Sequence, residues 1–297
     1  MITHRLGSAT VLLTAIGLSV FWNSPIAKVI FCLLGLAFVL VGLTEFFNMS
    51  GKLGAAGFKR LTLFASACFI LSKELQSPYV SEILNLDIAT WKLQELSLSI
   101  LVIFGFLAVF RSEDYKKGVM NLIASFAGFL YVCWPLSFLM DIYLWPSDDP
   151  MFGPSLMLYL ILSTKMGDVG GYTVGMLTHK IIGKNHKMVP RLSPGKSWEG
   201  FCGSLIFSMI TSIILMKIYN GFEINGSPLI SITAAVIIGL ILGAVGLMGD
   251  LAESVLKRSS GVKDSGKILP GMGGFLDVLD SLILVSPVFY AYLFFLI

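Results

Sequence analysis

Residues 229–249 read Leu229-Ile-Ser-Ile-Thr-Ala-Ala-Val-Ile-Ile-Gly-Leu-Ile-Leu-Gly-Ala-Val-Gly-Leu-Met-Gly249, and the next residue is Asp250. No charge interrupts the run. As a helix it would be about 31 Å long, close to the ~30 Å hydrocarbon core of a bilayer. Runs of this kind recur on both sides of it. Of the 297 residues, 56% are hydrophobic and 13% are charged, against about 25% charged in soluble domains. A soluble fold has too little polar surface here to cover its core. A soluble enzyme, a disordered chain and a secreted disulfide scaffold are therefore excluded. The expected fold class is all-α: a polytopic integral membrane protein with about nine transmembrane helices. The expected segments are roughly 7–22, 26–47, 61–76, 94–110, 119–140, 151–179, 200–219, 229–249 and 282–297. The first 27 residues mimic a signal peptide. The Asn23-Ser24-Pro25 turn into a second apolar run instead predicts a retained first helix.

Nine spans put alternate loops on opposite sides. One side collects Arg5, then Lys52, Lys59 and Arg60, then Arg111, Lys116 and Lys117. It also takes the basic residues of 180–196 and of 257–267, which brings it to 16 of the 21 Lys and Arg. The positive-inside rule places that side, and the N-terminus, in the cytoplasm. The net charge of +3 gives no reason to expect nucleic acid. Cys32, Cys68, Cys133 and Cys202 lie in or beside apolar runs without metal-ligand spacing, so no zinc site or disulfide framework is expected.

The two halves differ. Residues 1–150 form an N-terminal membrane region of about five spans, with short basic loops and no evident polar cluster. Glu45 reads there as interfacial. Residues 151–297, about four spans, form the expected catalytic region. After Asp250 the chain continues Leu251-Ala252-Glu253-Ser254-Val255-Leu256-Lys257-Arg258. It then passes through Lys263-Asp264-Ser265-Gly266-Lys267 to Leu269-Pro270-Gly271-Met272-Gly273-Gly274-Phe275-Leu276-Asp277-Val278-Leu279-Asp280-Ser281. Acids and bases interleave beside a glycine-rich turn. Carboxylates bind a hard divalent cation and Lys or Arg binds phosphate oxygens, so the mixture suits a metal-bound polyphosphate. Asp277 and Asp280 stand at i and i+3 on the first turn of the last span, and Asp250 could complete a metal site.

A second polar stretch, Pro190-Arg191-Leu192-Ser193-Pro194-Gly195-Lys196-Ser197-Trp198-Glu199-Gly200, precedes the seventh span. Gly195-Lys196-Ser197 resembles a P-loop ending. The upstream glycine is missing and no strand is expected, so that reading is rejected. Lys165 and Asp168 lie three residues apart inside the sixth span. Charges at that depth point to function or to a structural ion pair.

Together these residues resemble the phosphatidate cytidylyltransferase family, also called CDP-diacylglycerol synthase. Its C-terminal signature is matched by Ser254, Leu256, Lys257, Arg258, Lys263, Asp264, Gly266, Leu269, Pro270, Gly271, Gly273, Gly274, Leu276, Asp277 and Asp280. Its upstream pattern resembles Asp168 to Gly175 and Pro190 to Gly200. Met272 and Val278 stand where the commonest family sequence has His and Arg. The resemblance implies that CTP and phosphatidate give CDP-diacylglycerol and pyrophosphate. The attacking lipid phosphate is already ionised, so neither a protein nucleophile nor a strong base is required. Asp250, Asp277 and Asp280 are the expected ligands of one or two Mg²⁺ ions, with Asp264 a further acidic candidate. Lys257, Arg258, Lys263 and Lys267 would bind the triphosphate. Arg191, Lys196 and Ser197 would contact the lipid phosphate or the nucleotide, and Asp168 would close the site from within the membrane. A homodimer is implied by the resemblance alone. The expected location is the bacterial inner (cytoplasmic) membrane. Two alternatives stand beside this reading: a CTP-dependent enzyme acting on another membrane lipid or isoprenoid alcohol, and a transporter.

Overall fold

A computed structural model describes residues 17, 22, 24–75, 90–224, 226–269 and 273–296. Nearly all of the expected first span, 7–22, and the turn Pro270-Gly271-Met272 lie outside the described residues.

The described chain is mainly helical. Its elements are α1 Pro25–Lys52, α2 Lys59–Leu75, α3 Thr90–Phe110, α4 Tyr115–Gly128, a π-helical turn Phe129–Cys133, α5 Trp134–Tyr143 and α6 Phe152–Ile182. There follow β1 Lys187–Val189, β2 Ser193–Ser197, α7 Trp198–Ile218, β3 Glu223–Ile224, β4 Ser227–Pro228, α8 Ile232–Ser259 and α9 Leu276–Leu296. They form two compact units, residues 1–151 with 256–278, and residues 152–255 with 279–297.

In the first unit, α1 starts where Ser24 accepts the Ile26 N–H on its hydroxyl at 3.2 Å and Pro25 fills the first turn. Asp114 caps α4 in the same way, accepting the N–H groups of Lys116 and Lys117 at 2.9 and 3.2 Å. The π turn lies just ahead of Pro135. Proline removes one helical donor and crowds the carbonyl four residues back, and the wider turn absorbs that clash. Lys73 of α2 and Asp141 of α5 pair at 2.7 Å, so both charges are neutralised within the helical packing.

In the second unit α6 packs along α7, with glycines at the crossing. A Cβ on Gly203 would lie 2.6 Å from the Gly170 carbonyl oxygen. Two short hairpins accompany the helices, so the second unit is not purely helical. In the first hairpin Lys187 pairs with Ser197 and Val189 with Ser193. It is tethered rather than driven by β propensity. Asn185 donates to the Gly175 carbonyl at 2.6 Å, and the Glu199 carboxylate accepts the His186 N–H at 3.1 Å. The strand that the sequence did not announce therefore exists, and it contains Gly195-Lys196-Ser197 itself. It runs straight into α7 with no glycine-rich loop between, so the P-loop reading still fails.

Six of the described helices are long and apolar enough to cross a membrane: Ile26–Lys52, Lys92–Phe110, Tyr115–Tyr143, Trp198–Ile218, Ile232–Ser259 and Leu276–Phe295. Two of the expected spans are absent from this set. α2 has only 17 residues. α6 is 31 residues long but carries Lys165, Asp168 and several glycines and hydroxyls. Much of α6 is buried, including Leu156, Met157, Tyr159, Leu160, Ser163 and Thr164. A helix that faces protein along so much of its surface has less need of apolar side chains.

Candidate active site

The signature residues of the first unit converge on Asp277, at the start of α9. Its Oδ1 takes the Lys257 ammonium at 2.6 Å. Its Oδ2 accepts the Ser265 N–H at 2.9 Å and the Gly274 N–H at 2.7 Å, and the Ser265 hydroxyl lies 2.9 Å away. Both carboxylate oxygens are thus engaged by the protein, and the pair is largely buried. Glu45 enters the same cluster from α1. Its Oε1 accepts the Phe275 N–H at 2.9 Å, and its Oε2 accepts the Leu276 N–H at 2.9 Å and lies 3.0 Å from the Ser265 hydroxyl. Glu45 is 2% exposed, so its assignment as an interfacial residue is corrected: it is a buried anchor. Arg258, Lys263, Asp264 and Lys267 are exposed around this core. Lys263, Asp264 and Lys267 line a cavity of about 410 Å³ together with Asn48, Met49 and Lys52 of α1.

The second unit holds a separate set of paired charges. Lys165 lies 3.3 Å from Asp168 Oδ2, 2.8 Å from the Ser281 hydroxyl and 3.7 Å from Asp280 Oδ1. The Ser281 hydroxyl also donates to Asp168 at 3.2 Å. Lys196, at the end of β2, pairs with Asp250 of α8. The carboxylates of Asp250 and Asp168 are near enough to repel that of Asp280. Asp168, Lys196 and Ser197 line a cavity of about 210 Å³ with Gly167, Tyr172 and Phe201. Ser197 is 4% exposed, and its hydroxyl accepts the Gly200 N–H at 3.1 Å as the N-cap of α7. Its first task is therefore to hold the helix start, although it borders the cavity. Arg191 is exposed in the hairpin turn.

The expected metal ligands thus divide. Asp250 and Asp280 belong to the second unit, whereas Asp277 belongs to the first and has both oxygens committed. Among the described residues no three His, Cys, Asp or Glu side chains form a group able to hold a metal ion. The donor chemistry of Asp168, Asp250, Asp280 and Ser281 is nevertheless all oxygen, as a hard divalent cation requires. Sequence reading passed over Lys165 as a site residue, and missed Glu45, Ser265 and Ser281. The spacing of Lys165 and Asp168 carried a signal. A lone acid at the end of an apolar helix and two serines did not.

Comparison with known proteins agrees with the family resemblance. The chain is 33% identical over 246 residues to the uncharacterized protein YnbB of Escherichia coli (strain K12), covering 78% of each chain. It is 34% identical over 183 residues to a phosphatidate cytidylyltransferase of Haemophilus influenzae, covering 61% of this chain and 59% of that one. A phosphatidate cytidylyltransferase of Staphylococcus haemolyticus is 42% identical over 135 residues, 46% of this chain and 47% of the relative. With the two named enzymes the match thus spans only about half of the relative's length. The family match, by contrast, runs over residues 3–296 and so takes in both units and every charge pair described above, which makes this chain a member of the cytidylyltransferase family.

Proposed function

We propose that the protein is a phosphatidate cytidylyltransferase, which joins CTP and phosphatidate into CDP-diacylglycerol and releases pyrophosphate. The observation that carries this is the pairing of four site carboxylates with lysines: Lys257 with Asp277, Lys196 with Asp250, and Lys165 with Asp168 and Asp280. Half-buried charges are costly unless neutralised, and here they neutralise one another. A polyanionic substrate arriving with a divalent cation exchanges those partners. Phosphate oxygens take the lysines, and the cation takes Asp250 and Asp280. The names of the relatives from Haemophilus and Staphylococcus supply the substrate pair.

In this reading Lys257, Arg258, Lys263 and Lys267 bind the triphosphate. Arg191 and Lys196 bind the lipid phosphate, beside the cavity where Tyr172 and Phe201 offer apolar surface. Mg²⁺, held by Asp250 and Asp280 with Asp168 beside them, would neutralise charge on the phosphoryl group as it transfers. Asp277 organises the signature loop and holds Lys257, and Asp264 stays an exposed acidic neighbour of the triphosphate. The lipid phosphate oxygen attacks the α-phosphate of CTP and pyrophosphate departs in line. No protein group takes a proton. The residues act by positioning and by charge, as in other phosphoryl transfers. The basic loops face the cytoplasm of a bacterial inner membrane, nine helices span it, and the working form is a homodimer.

The test is conversion of radiolabelled CTP to a lipid-soluble product by purified protein in micelles containing phosphatidate and Mg²⁺. Product that requires both phosphatidate and the metal is expected. Product formed only with an isoprenoid alcohol would change the acceptor. No product across lipids and metals would overturn the enzyme reading and favour transport.

A further inference from the structure

Glu45 lies in the half of the chain to which the sequence assigns no chemistry, yet it binds the signature loop directly. The N–H groups of Phe275 and Leu276 belong to the orphan donors that open a helix. Glu45 accepts both at 2.9 Å, and Asp277 accepts the neighbouring Gly274 N–H at 2.7 Å. Two carboxylates, one from α1 and one from α9 itself, thereby hold three consecutive amides. The negative charge also suits the positive end of the α9 dipole. A buried carboxylate is tolerated only when hydrogen bonds replace its water, and these donors do so.

The Ser265 hydroxyl stands between the two acids, 3.0 Å from Glu45 and 2.9 Å from Asp277. Contact therefore runs from Glu45 through Ser265 and Asp277 to Lys257. The loop is shaped to the carboxylate: a methyl group on Gly266 would overlap the Glu45 side chain. One and two turns further along α1, Asn48 and Lys52 share the Glu45 face at i+3 and i+7. Both line the cavity that also takes Lys263 and Lys267. Three lysines against one carboxylate, Asp264, leave that cavity cationic.

We propose that Glu45 is a positioning residue for the nucleoside triphosphate. It sets the loop in register with α1 so that Lys52 joins Lys263 and Lys267 around the phosphates. This rests on the assignment of CTP as substrate. The role differs from simple stabilisation, because it acts on one substrate and leaves the other alone.

The test uses the full chain in detergent and measures kcat, separate KM values for CTP and phosphatidate, the thermal midpoint, and equilibrium binding of radiolabelled CTP. Glu45→Gln keeps the shape but turns an amide N–H₂ toward a backbone N–H. It should raise the KM for CTP about tenfold and lower the midpoint, as an unpaired buried donor does, with the KM for phosphatidate within about twofold. Lys52→Ala should shift the same constant in the same direction. Wild-type constants in Glu45→Gln would overturn the proposal, as would equal shifts in both KM values that track a fall in the midpoint. If Glu45→Gln does not fold, Ser265→Ala removes one contact only. It should then give a smaller shift specific to CTP, and no shift would overturn the proposal. A wild-type protein that binds CTP without turnover would refute the assigned reaction alone. CTP binding would still decide the role of Glu45, weaker binding by Glu45→Gln supporting it and equal binding refuting it.

Discussion

At the scale of single residues, the two acids on the first turn of α9 have different environments. Asp277 is wrapped by Lys257, by the amides of Ser265 and Gly274, and by the Ser265 hydroxyl. Asp280 meets the Ser281 N–H and, at 3.7 Å, Lys165. Asp277→Asn should therefore lower both turnover and the thermal midpoint, because an amide leaves a donor unpaired at a cost of about 1–3 kcal/mol. Asp280→Asn should abolish turnover by at least about 100-fold with the midpoint held, because it relieves repulsion from Asp250 and Asp168 while removing a proposed cation ligand. Melting curves and CTP turnover for both variants check this. Equal loss of stability in the two would refute the division of labour. The spacing of these acids, three residues apart, was plain in the sequence. Which of them is locked by the protein was not, because the locking donors Lys257, Ser265 and Gly274 lie 20, 12 and 3 residues away and their aim depends on the fold.

At the scale of elements, the site of the second unit depends on how closely α6 approaches α7. Lys165 and Asp168 lie on α6, while Lys196 and Ser197 lead into α7. Gly203 lets the two backbones meet, since a Cβ there would strike both the Gly170 carbonyl and Val174. Gly203→Leu should force the helices apart, cost about 1–3 kcal/mol or more in stability, and reduce turnover. A thermal midpoint equal to wild type would refute the close crossing. The helices themselves were legible as apolar runs, and the Ser24-Pro25 start of α1 as turn chemistry. The hairpin at 187–197 was hidden. Its strands contain proline, glycine and lysine rather than alternating apolar residues, and they are held by Asn185, which reaches back to α6, and by Glu199 of α7. Propensity cannot report tethers of that kind.

At the scale of the whole molecule, the prediction concerns sidedness. The helical stretch Tyr115–Tyr143 is long and apolar enough to span the membrane. It is preceded by a loop next to Arg111, Lys116 and Lys117, and followed by a loop with Asp148 and Asp149. A cysteine placed at Glu113 in a background without the four natural cysteines should react with an impermeant maleimide only from the cytoplasmic side. A cysteine at Ser147 should react only from the other side. Labelling of both from one side would refute the orientation. The sequence by itself determined that the chain lives in a bilayer and which family it belongs to. Hydrophobic run length and a long charged signature are properties of the linear order, readable without any contact. The tertiary structure alone decided that Glu45 and residues 256–278 belong to one compact unit. It also decided which lysine neutralises which acid. Ion pairs and buried hydrogen bonds form between residues up to 231 positions apart, and only the folded backbone brings such donors and acceptors within reach of each other.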